Sequence, residues 1–381
     1  MEDIRKHPIG KLGLIGMKGC EEITDKIDNY LLDWAKDRNL DPDITTFKIQ
    51  FQCPRFSSGE AKAVITESVR GFDIFIVCDV FNYGVTYKMY GMDVPMSPDD
   101  HYADLKRIIA AIGGKAKRIT VIMPMLYESR QHKRNARESL DCAIALQELH
   151  QIGVDNIITF DAHDPRVQNA IPLSGFENVQ PFYQMIKALV NNVPDIEFDK
   201  HKLMMVSPDE GGMSRSIYYA SVLELEMGMF YKRRDYSVVI NGHNPIVSHD
   251  FLGDNVEGMD VIIVDDMISS GESLIDVSRK LKERGAKRIF AFISFSLFVD
   301  GLDKFDKAYE DGYFEKIFST NLVYAQPELL KREWFVQADM SKYISLIIDT
   351  LYWNKTMADL LDPVKRIKNF LKAKNKLPNS K

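Results

Sequence analysis

The chain has 381 residues, more than one small core needs, and its 45% hydrophobic and 27% charged residues exclude a disordered chain. Lys and Arg number 49 against 55 Asp and Glu, a net charge of −6 without the basic excess of a dedicated nucleic-acid binder. No apolar run approaches the roughly 20 residues of a bilayer span, the start MEDIRKHPIGKLGLIG has no signal-peptide core, and Cys20, Cys53, Cys78 and Cys142 form no Cys-x-x-Cys pair. A cytoplasmic protein with reduced thiols is expected, with no zinc site, disulfide frame, nucleic-acid partner or membrane partner.

In chain order, short β-rich runs predict strands at 11–15, 46–51, 73–78, 118–123, 156–160, 202–206, 236–240, 260–264 and 288–293. Helical periodicity predicts helices over 21–37, 101–113, 138–152, 181–192, 213–227 and 272–284. Such alternation implies an α/β protein with parallel sheets covered by helices on both faces, and ligands beyond the carboxyl ends of the strands.

The chain also echoes itself. GFDIFIVCDV at 71–80 resembles GMDVIIVDDM at 258–267, and AKRIT at 116–120 resembles AKRIF at 286–290. Two echoes in one order suggest two related domains, with convergent strand composition as the plainer alternative. Cys78 stands where the second copy has Asp265, so the acidic pair Asp265–Asp266 and the hydroxyl-rich loop after it belong to the second half alone.

That loop, Ser269, Ser270, Gly271 and Ser273, leads into the helical stripe Leu274, Ile275, Val277 and Leu281. Backbone N–H groups at a helix start, serine hydroxyls and a permissive glycine suit a phosphate. Two carboxylates beside a phosphate would repel it unless the ligand also offers hydroxyls or a Mg2+ ion lies between. A sugar phosphate satisfies both halves of the pattern. The alternative, that the acids only cap the next helix, needs one such residue rather than two.

VIIVDDMISSGES at 261–273 resembles the phosphoribosyl pyrophosphate motif of type I phosphoribosyltransferases and of ribose-phosphate pyrophosphokinases. RFSSGEAKAVITESVRGFDIFIV, KRITVIMPMLYESRQHKR, IITFDAHDPRVQ, VSPDEGGMSRS and KRRD resemble, in family order, further segments of the pyrophosphokinases, and QADMSKYISLIIDTLYWNKTMADLL resembles their closing helix. The resemblance implies two tandem phosphoribosyltransferase-like domains, 1–170 and 171–345, followed by a closing helix and basic tail at 346–381. It implies transfer of the diphosphoryl group of ATP to the 1-hydroxyl of ribose 5-phosphate, giving phosphoribosyl pyrophosphate and AMP.

The same resemblance assigns Asp265, Asp266, Ser269, Ser270, Gly271 and Ser273 to ribose 5-phosphate, and Lys232 and Arg234 to the transferring diphosphate. A mobile flap is expected in the stretch that follows them, DYSVVINGHNPIVSHDFLGDN. His163 and Asp209 are implied to hold Mg2+; His163 alternatively bonds a phosphate or backbone, and Asp209 alternatively only shapes its turn. Phe56 and Glu60 are implied near adenine, Arg130 and Gln131 near the nucleotide phosphates. In the family the Phe56–Glu60 segment serves a neighbouring subunit's site, which implies a homo-oligomer.

The chain departs from the family pattern at named places. Ser58 and Ser269 replace Asp, Ser270 replaces Thr, His132 follows Arg-Gln where Asp is usual, Glu272 adds a charge beside the phosphate loop, and Ser294–Ser296 lacks Thr-His. The chain is longer than typical members, notably in an extended 81–100 loop and a basic tail after Leu361 that reads as a solvated, fraying helix end. Three readings follow: a ribose-phosphate diphosphokinase, a related diphosphokinase with another acceptor such as ADP-ribose, and a non-catalytic regulatory partner of such an enzyme.

Overall fold

The computed structural model describes residues 7–40, 43–234 and 246–376, and at 232–234 and 246–249 it describes the backbone alone. The predicted strand at 236–240 lies outside the described residues, as do residues 235–245 of the expected flap.

The chain first forms β1 (Lys11–Gly16), α1 (Glu21–Asp37), β2 (Phe51–Gln52), β3 (Val64–Ile65), β4 (Phe72–Val77), β5 (Thr86–Met89), β6 (Met92–Pro95), α2 (Pro98–Ile112), β7 (Arg118–Ile122), α3 (Asp141–Gln151), β8 (Asn156–Phe160) and β9 (Gly175–Val179). There follow α4 (Phe182–Asn192), β10 (Leu203–Ser207), α5 (Met213–Leu223), β11 (Glu226–Arg234), β12 (Ile246–Leu252), β13 (Asp260–Ile268), α6 (Glu272–Glu283), β14 (Arg288–Ser296), α7 (Asp303–Glu310), β15 (Lys316–Thr320) and β16 (Phe335–Ala338). The chain ends with α8 (Ser341–Tyr352), α9 (Ala358–Leu361) and α10 (Val364–Ala373).

Two compact units result. The first runs to Pro181 and also takes Asn321–Tyr324 and Asp339–Asp362; the second takes Phe182–Thr320, Ala325–Ala338 and everything from Pro363 onward. The first extends past residue 170 because β9 pairs with β8 through five registered positions, Asn156↔Gly175 to Phe160↔Val179. The closing segment is shared: α8 packs against α1 in the first unit, whereas α10 belongs to the second.

Each unit is built on a parallel sheet. The first has the order β1-β4-β7-β8-β9, and the second β12-β11-β10-β13-β14-β15-β16, parallel except for the antiparallel β11–β12 pair. β13 illustrates why these strands read as unbroken apolar runs. Val261 and Ile263 face one core with Leu274, Val277 and Phe305, while Ile262 and Val264 face another with Met185, Ile186 and Tyr219. A strand covered on both faces needs apolar residues at every position.

The echo in the sequence is an echo in structure. β1-β4-β7-β8-β9 and β10-β13-β14-β15-β16 share one order. At the head of each central pair the same ion pair recurs: Arg118 Nε and Nη2 donate to Asp73 at 2.8 and 2.5 Å, and Arg288 Nε and Nη2 donate to Asp260 at 3.0 and 2.6 Å. Both pairs sit at matching register, Asp73↔Arg118 and Asp260↔Arg288.

Several boundaries differ from expectation. The helix predicted at 101–113 begins at Pro98, because Ser97 and Asp100 form a capping box, and it stops at the left-handed Gly113. The run 46–51 is not a full strand; it reaches β1 through a parallel bridge, Leu14↔Lys48, and contributes only Phe51 to β2. The helical pattern 213–227 ends at Leu223, and Glu226 already opens β11. The tail is not a solvated end: Ile367 and Leu371 of α10 are 0% and 1% exposed in the core of the second unit.

Candidate active site

In the second unit the acidic pair does not end its strand. β13 continues through Ile268, with Asp265 opposite Ile293 and Met267 opposite Phe295 on β14. Asp266 is buried and its Oδ2 lies 3.5 Å from Nη2 of Arg215, in the first turn of α5. Burial, then the neighbouring Asp266 and Asp209 charges, push the Asp265 carboxyl well above its ordinary range, against the opposing pull of Arg215.

The turn carrying Asp209 is drawn against this strand by its glycines. An added Cβ at Gly212 would stand 2.8 Å from Ser207 Oγ and 3.1 Å from the Val264 carbonyl oxygen. Asp209 shapes the turn as composition suggests, accepting a 2.9 Å bond from the Gly211 N–H. The two readings of Asp209 are thus compatible: one carboxylate oxygen closes the turn, and the group's charge is felt at Asp265.

The loop after β13 delivers Ser269–Ser273 to the start of α6, a 12-residue helix. Gly271 adopts φ +85°, and an added Cβ there would meet Phe305 Cζ at 1.9 Å. The residue must therefore be glycine on two counts, conformation and space. The Ser269 carbonyl accepts from the Val299 N–H at 3.1 Å, and the Ile268 carbonyl from the Leu297 N–H at 2.9 Å. Those bonds pin the loop backbone, while the helix start leaves its first N–H groups without intrahelical partners. Glu272 is exposed at the first helical position. Lys232 and Arg234 stand on β11, opposite His249 and Ile246 of β12, with a register shift between Arg233 and Arg234.

In the first unit three sequence-predicted segments lie on loops at strand ends. After β8, Asp161 takes a left-handed φ of +38° and its N–H donates to the Val179 carbonyl at 2.8 Å. The Ala162 N–H donates to Asn178 Oδ1 at 2.9 Å, and the strapped turn leaves His163 exposed. Beyond β7, Arg130 is exposed and Gln131 Nε2 donates to the Ser139 carbonyl at 2.8 Å. The two segments meet: the His132 ring lies 5.3 Å from that of His163, and His132 Nε2 lies 3.5 Å from Asp164 Oδ2. Burial lowers the His132 pKa, with Asp164 acting in opposition. Arg166 holds Asp164 down to about 2.

Phe56 and Glu60 flank a tight turn. The Phe56 N–H donates to the Glu60 carbonyl at 2.7 Å, and Ser58 Oγ donates to Glu60 Oε2 at 2.9 Å. Arg55 anchors this turn, a role the sequence reading missed. It donates to the Gly59 carbonyl at 3.2 Å and to Asp104 at 2.9 Å, and its guanidinium lies 4.4 Å over the Tyr87 ring. An Arg directly before the turn was the available signal.

Among the described residues no three His, Cys, Asp or Glu side chains gather closely enough to hold a metal ion by themselves. The donor chemistry nevertheless suits Mg2+. The charges of Asp266 and Asp209 both bear on Asp265, and Mg2+ habitually takes one or two carboxylates and completes its shell with water and substrate phosphate. Among the described residues no helix is long and apolar enough to cross a membrane.

A family model described as the N-terminal domain of ribose phosphate pyrophosphokinase matches residues 12–153, and one described as the phosphoribosyl transferase domain matches residues 174–331. A ribose-phosphate pyrophosphokinase of Vibrio cholerae is 32% identical over 250 residues, 64% of this chain and 70% of its own length. One of Shewanella oneidensis is 29% identical over 295 residues, 76% of this chain and 84% of its own. The crystal structure of phosphoribosylpyrophosphate synthetase from Mycobacterium smegmatis aligns with a TM-score of 0.71 over 90% of this chain and 99% of that one, at 19% identity, a likeness of fold. The sheets are therefore two tandem phosphoribosyltransferase-like domains, and the chain belongs to the ribose-phosphate pyrophosphokinase family.

Proposed function

We propose that this chain is a ribose-phosphate diphosphokinase that takes ATP and ribose 5-phosphate and releases phosphoribosyl pyrophosphate and AMP. The observation that carries the reading is the joining of a half-buried Asp265 and a buried Asp266 to a glycine-hinged hydroxyl loop and helix start by one strand, β13. In this reading the 5-phosphate sits against Ser269, Ser270, Gly271 and Ser273. Asp265 and Asp266 accept hydrogen bonds from the ribose hydroxyls, which fixes the sugar so that its 1-hydroxyl is the free end. That oxygen attacks the β-phosphorus, its proton passes to water, and the bond from the β-phosphorus to the α,β-bridging oxygen breaks with the electron pair leaving on AMP. Lys232 and Arg234 neutralise charge on the transferring diphosphate. His163 and Asp209 are the residues that would hold Mg2+, which would supply charge neutralisation on the triphosphate.

For the nucleotide, Arg130 and Gln131 serve the phosphates, and Phe56 and Glu60 the base. Phe56 is 55% exposed, as suits an aromatic residue presented to a ligand bound by a neighbouring copy in a homo-oligomer. We place the protein in the cytoplasm, where both substrates are made.

Mixing the protein with Mg2+, ATP and ribose 5-phosphate should yield AMP and phosphoribosyl pyrophosphate in equal amounts, resolved by phosphorus NMR. Lys232→Ala should cut kcat about a hundredfold or more with a small change in the KM for ribose 5-phosphate. Release of ADP in place of AMP, or AMP formation that ignores the sugar, would refute the assignment.

A further inference from the structure

The extended 81–100 loop contains a two-stranded hairpin, β5–β6, with Met89 opposite Met92 and Tyr90–Gly91 as its two-residue tip. Tyr90 has φ +48° and Gly91 φ +79°, so both tip residues are left-handed, as a type I′ turn requires. Asn or Asp is the ordinary first residue of such a tip, and an aromatic residue there is strained. The strained side chain is not used for packing within the unit: Tyr90 is 76% exposed. Backbone strain at an exposed residue that no packing or helix cap requires points toward function.

The hairpin tip is fastened to the turn that carries Phe56 and Glu60. The Tyr90 N–H donates to the Ser57 carbonyl at 2.8 Å. Gly59, at φ +94°, lets the hairpin approach, since an added Cβ would stand 2.8 Å from Met89 Sδ and 3.9 Å from Tyr87. Arg55 reaches both parts, bonding the Gly59 carbonyl and lying over Tyr87. Turn and hairpin are thus one braced piece that displays two exposed aromatic residues, Phe56 and Tyr90. The same turn has a neutral Ser58, which is bonded to Glu60 and offers no second carboxylate to an exocyclic amino group.

We propose that Tyr90 is a base-contacting, specificity-determining residue: it supplies a second aromatic surface for the adenine of ATP beside Phe56. The proposal rests on the reading of Phe56 and Glu60 as the adenine-binding turn. The added hairpin and the altered turn are then two parts of one change, in which recognition by a second carboxylate gives way to recognition by stacking. Stacking is tolerant of the hydrogen-bonding edge, so the nucleotide is gripped mainly by its faces.

The test uses the full-length protein with steady-state kinetics in both substrates. Loss of one base–aromatic contact should raise the KM for ATP roughly five- to hundredfold. Tyr90→Ala should do this with kcat and the KM for ribose 5-phosphate nearly unchanged, and Tyr90→Phe should restore the wild-type value. Tyr90→Asn relieves the left-handed strain, so its melting temperature should equal or exceed that of the wild type while its KM for ATP rises, which separates binding from folding. If Phe56→Ala raises the KM for ATP and Tyr90→Ala does not, the turn reading stands and the proposal fails. If neither variant moves it, the turn reading fails as well. A Tyr90→Ala protein with a changed oligomeric mass and an unchanged KM marks Tyr90 as a subunit contact and overturns the proposal.

Discussion

Gly271 shows how much a single residue decides. Its φ of +85° and the 1.9 Å gap to Phe305 Cζ mean that even a methyl group must both strain the backbone and displace a fully buried ring. Gly271→Ala should therefore lower stability by about 2–5 kcal/mol, the sum of a left-handed penalty and an overpacking penalty. Because the displaced backbone is the phosphate loop itself, the KM for ribose 5-phosphate should rise as well. A urea denaturation midpoint and a KM that both match the wild type would contradict this account. The residue types of the loop were legible in the sequence because hydroxyl, glycine and carboxylate side chains announce their chemistry. The place of the acids in the sheet was not. Asp265 and Asp266 look like the end of a strand when only the apolar run Val261–Val264 is counted, yet β14 extends alongside and keeps them in the sheet. Arg215, whose guanidinium lies 3.5 Å from Asp266, is three residues beyond a glycine turn in a different element, and nothing local ties it to that acid.

At the scale of elements, α10 is the instructive case. Its lysines suggest a solvated tail, but three- and four-residue spacing places Ile367, Phe370 and Leu371 on one face, and the face is used. Lys368 does pair with Glu224 at 3.1 Å, but both side chains are largely exposed, and such pairs contribute about 1 kcal/mol or less. Burial of the apolar stripe dominates. Ile367→Ala should cost about 2–4 kcal/mol of unfolding free energy, and Lys368→Ala a few tenths, which paired chemical denaturation curves can read. Equal costs for the two would mean that the charges hold the helix. The boundary between α5 and β11 escaped the sequence for another reason. The helix ends on Glu224 in a left-handed conformation, φ 57°, with no glycine or proline to announce the stop. Helical periodicity therefore ran on into residues that pair with β10 from Glu226.

The whole molecule repeats one sheet order in its two units, and only the second carries the acid pair, inside β13. Counting six residues from the shared Asp–Arg pair reaches Asp79 from Asp73 and Asp266 from Asp260, so the two buried acids occupy equivalent places. Asp266 faces Arg215, whereas Asp79 accepts from the Phe81 N–H at 3.0 Å and from the Tyr324 N–H at 2.7 Å. Tyr324 belongs to the short segment Asn321–Tyr324 by which the chain rejoins the first unit. The first copy's acid thus holds a chain crossing, which is legible only once the strands are superposed. Burial raises the Asp79 carboxyl from 3.8 to about 6, although both N–H donors pull it down. A raised acid is protonated more tightly in the folded chain than in the unfolded one. Its contribution to stability is therefore complete below about pH 4 and is lost as the pH climbs through about 6, by on the order of 3 kcal/mol. Asp79→Asn removes the proton uptake and loses one of the two N–H bonds, so its absolute stability should fall at low pH. Its difference from the wild type should shrink between about pH 4 and pH 6, because only the wild type weakens there. Urea titrations across that window measure the difference directly, and a gap that stays constant with pH would show that Asp79 does not titrate where its burial requires.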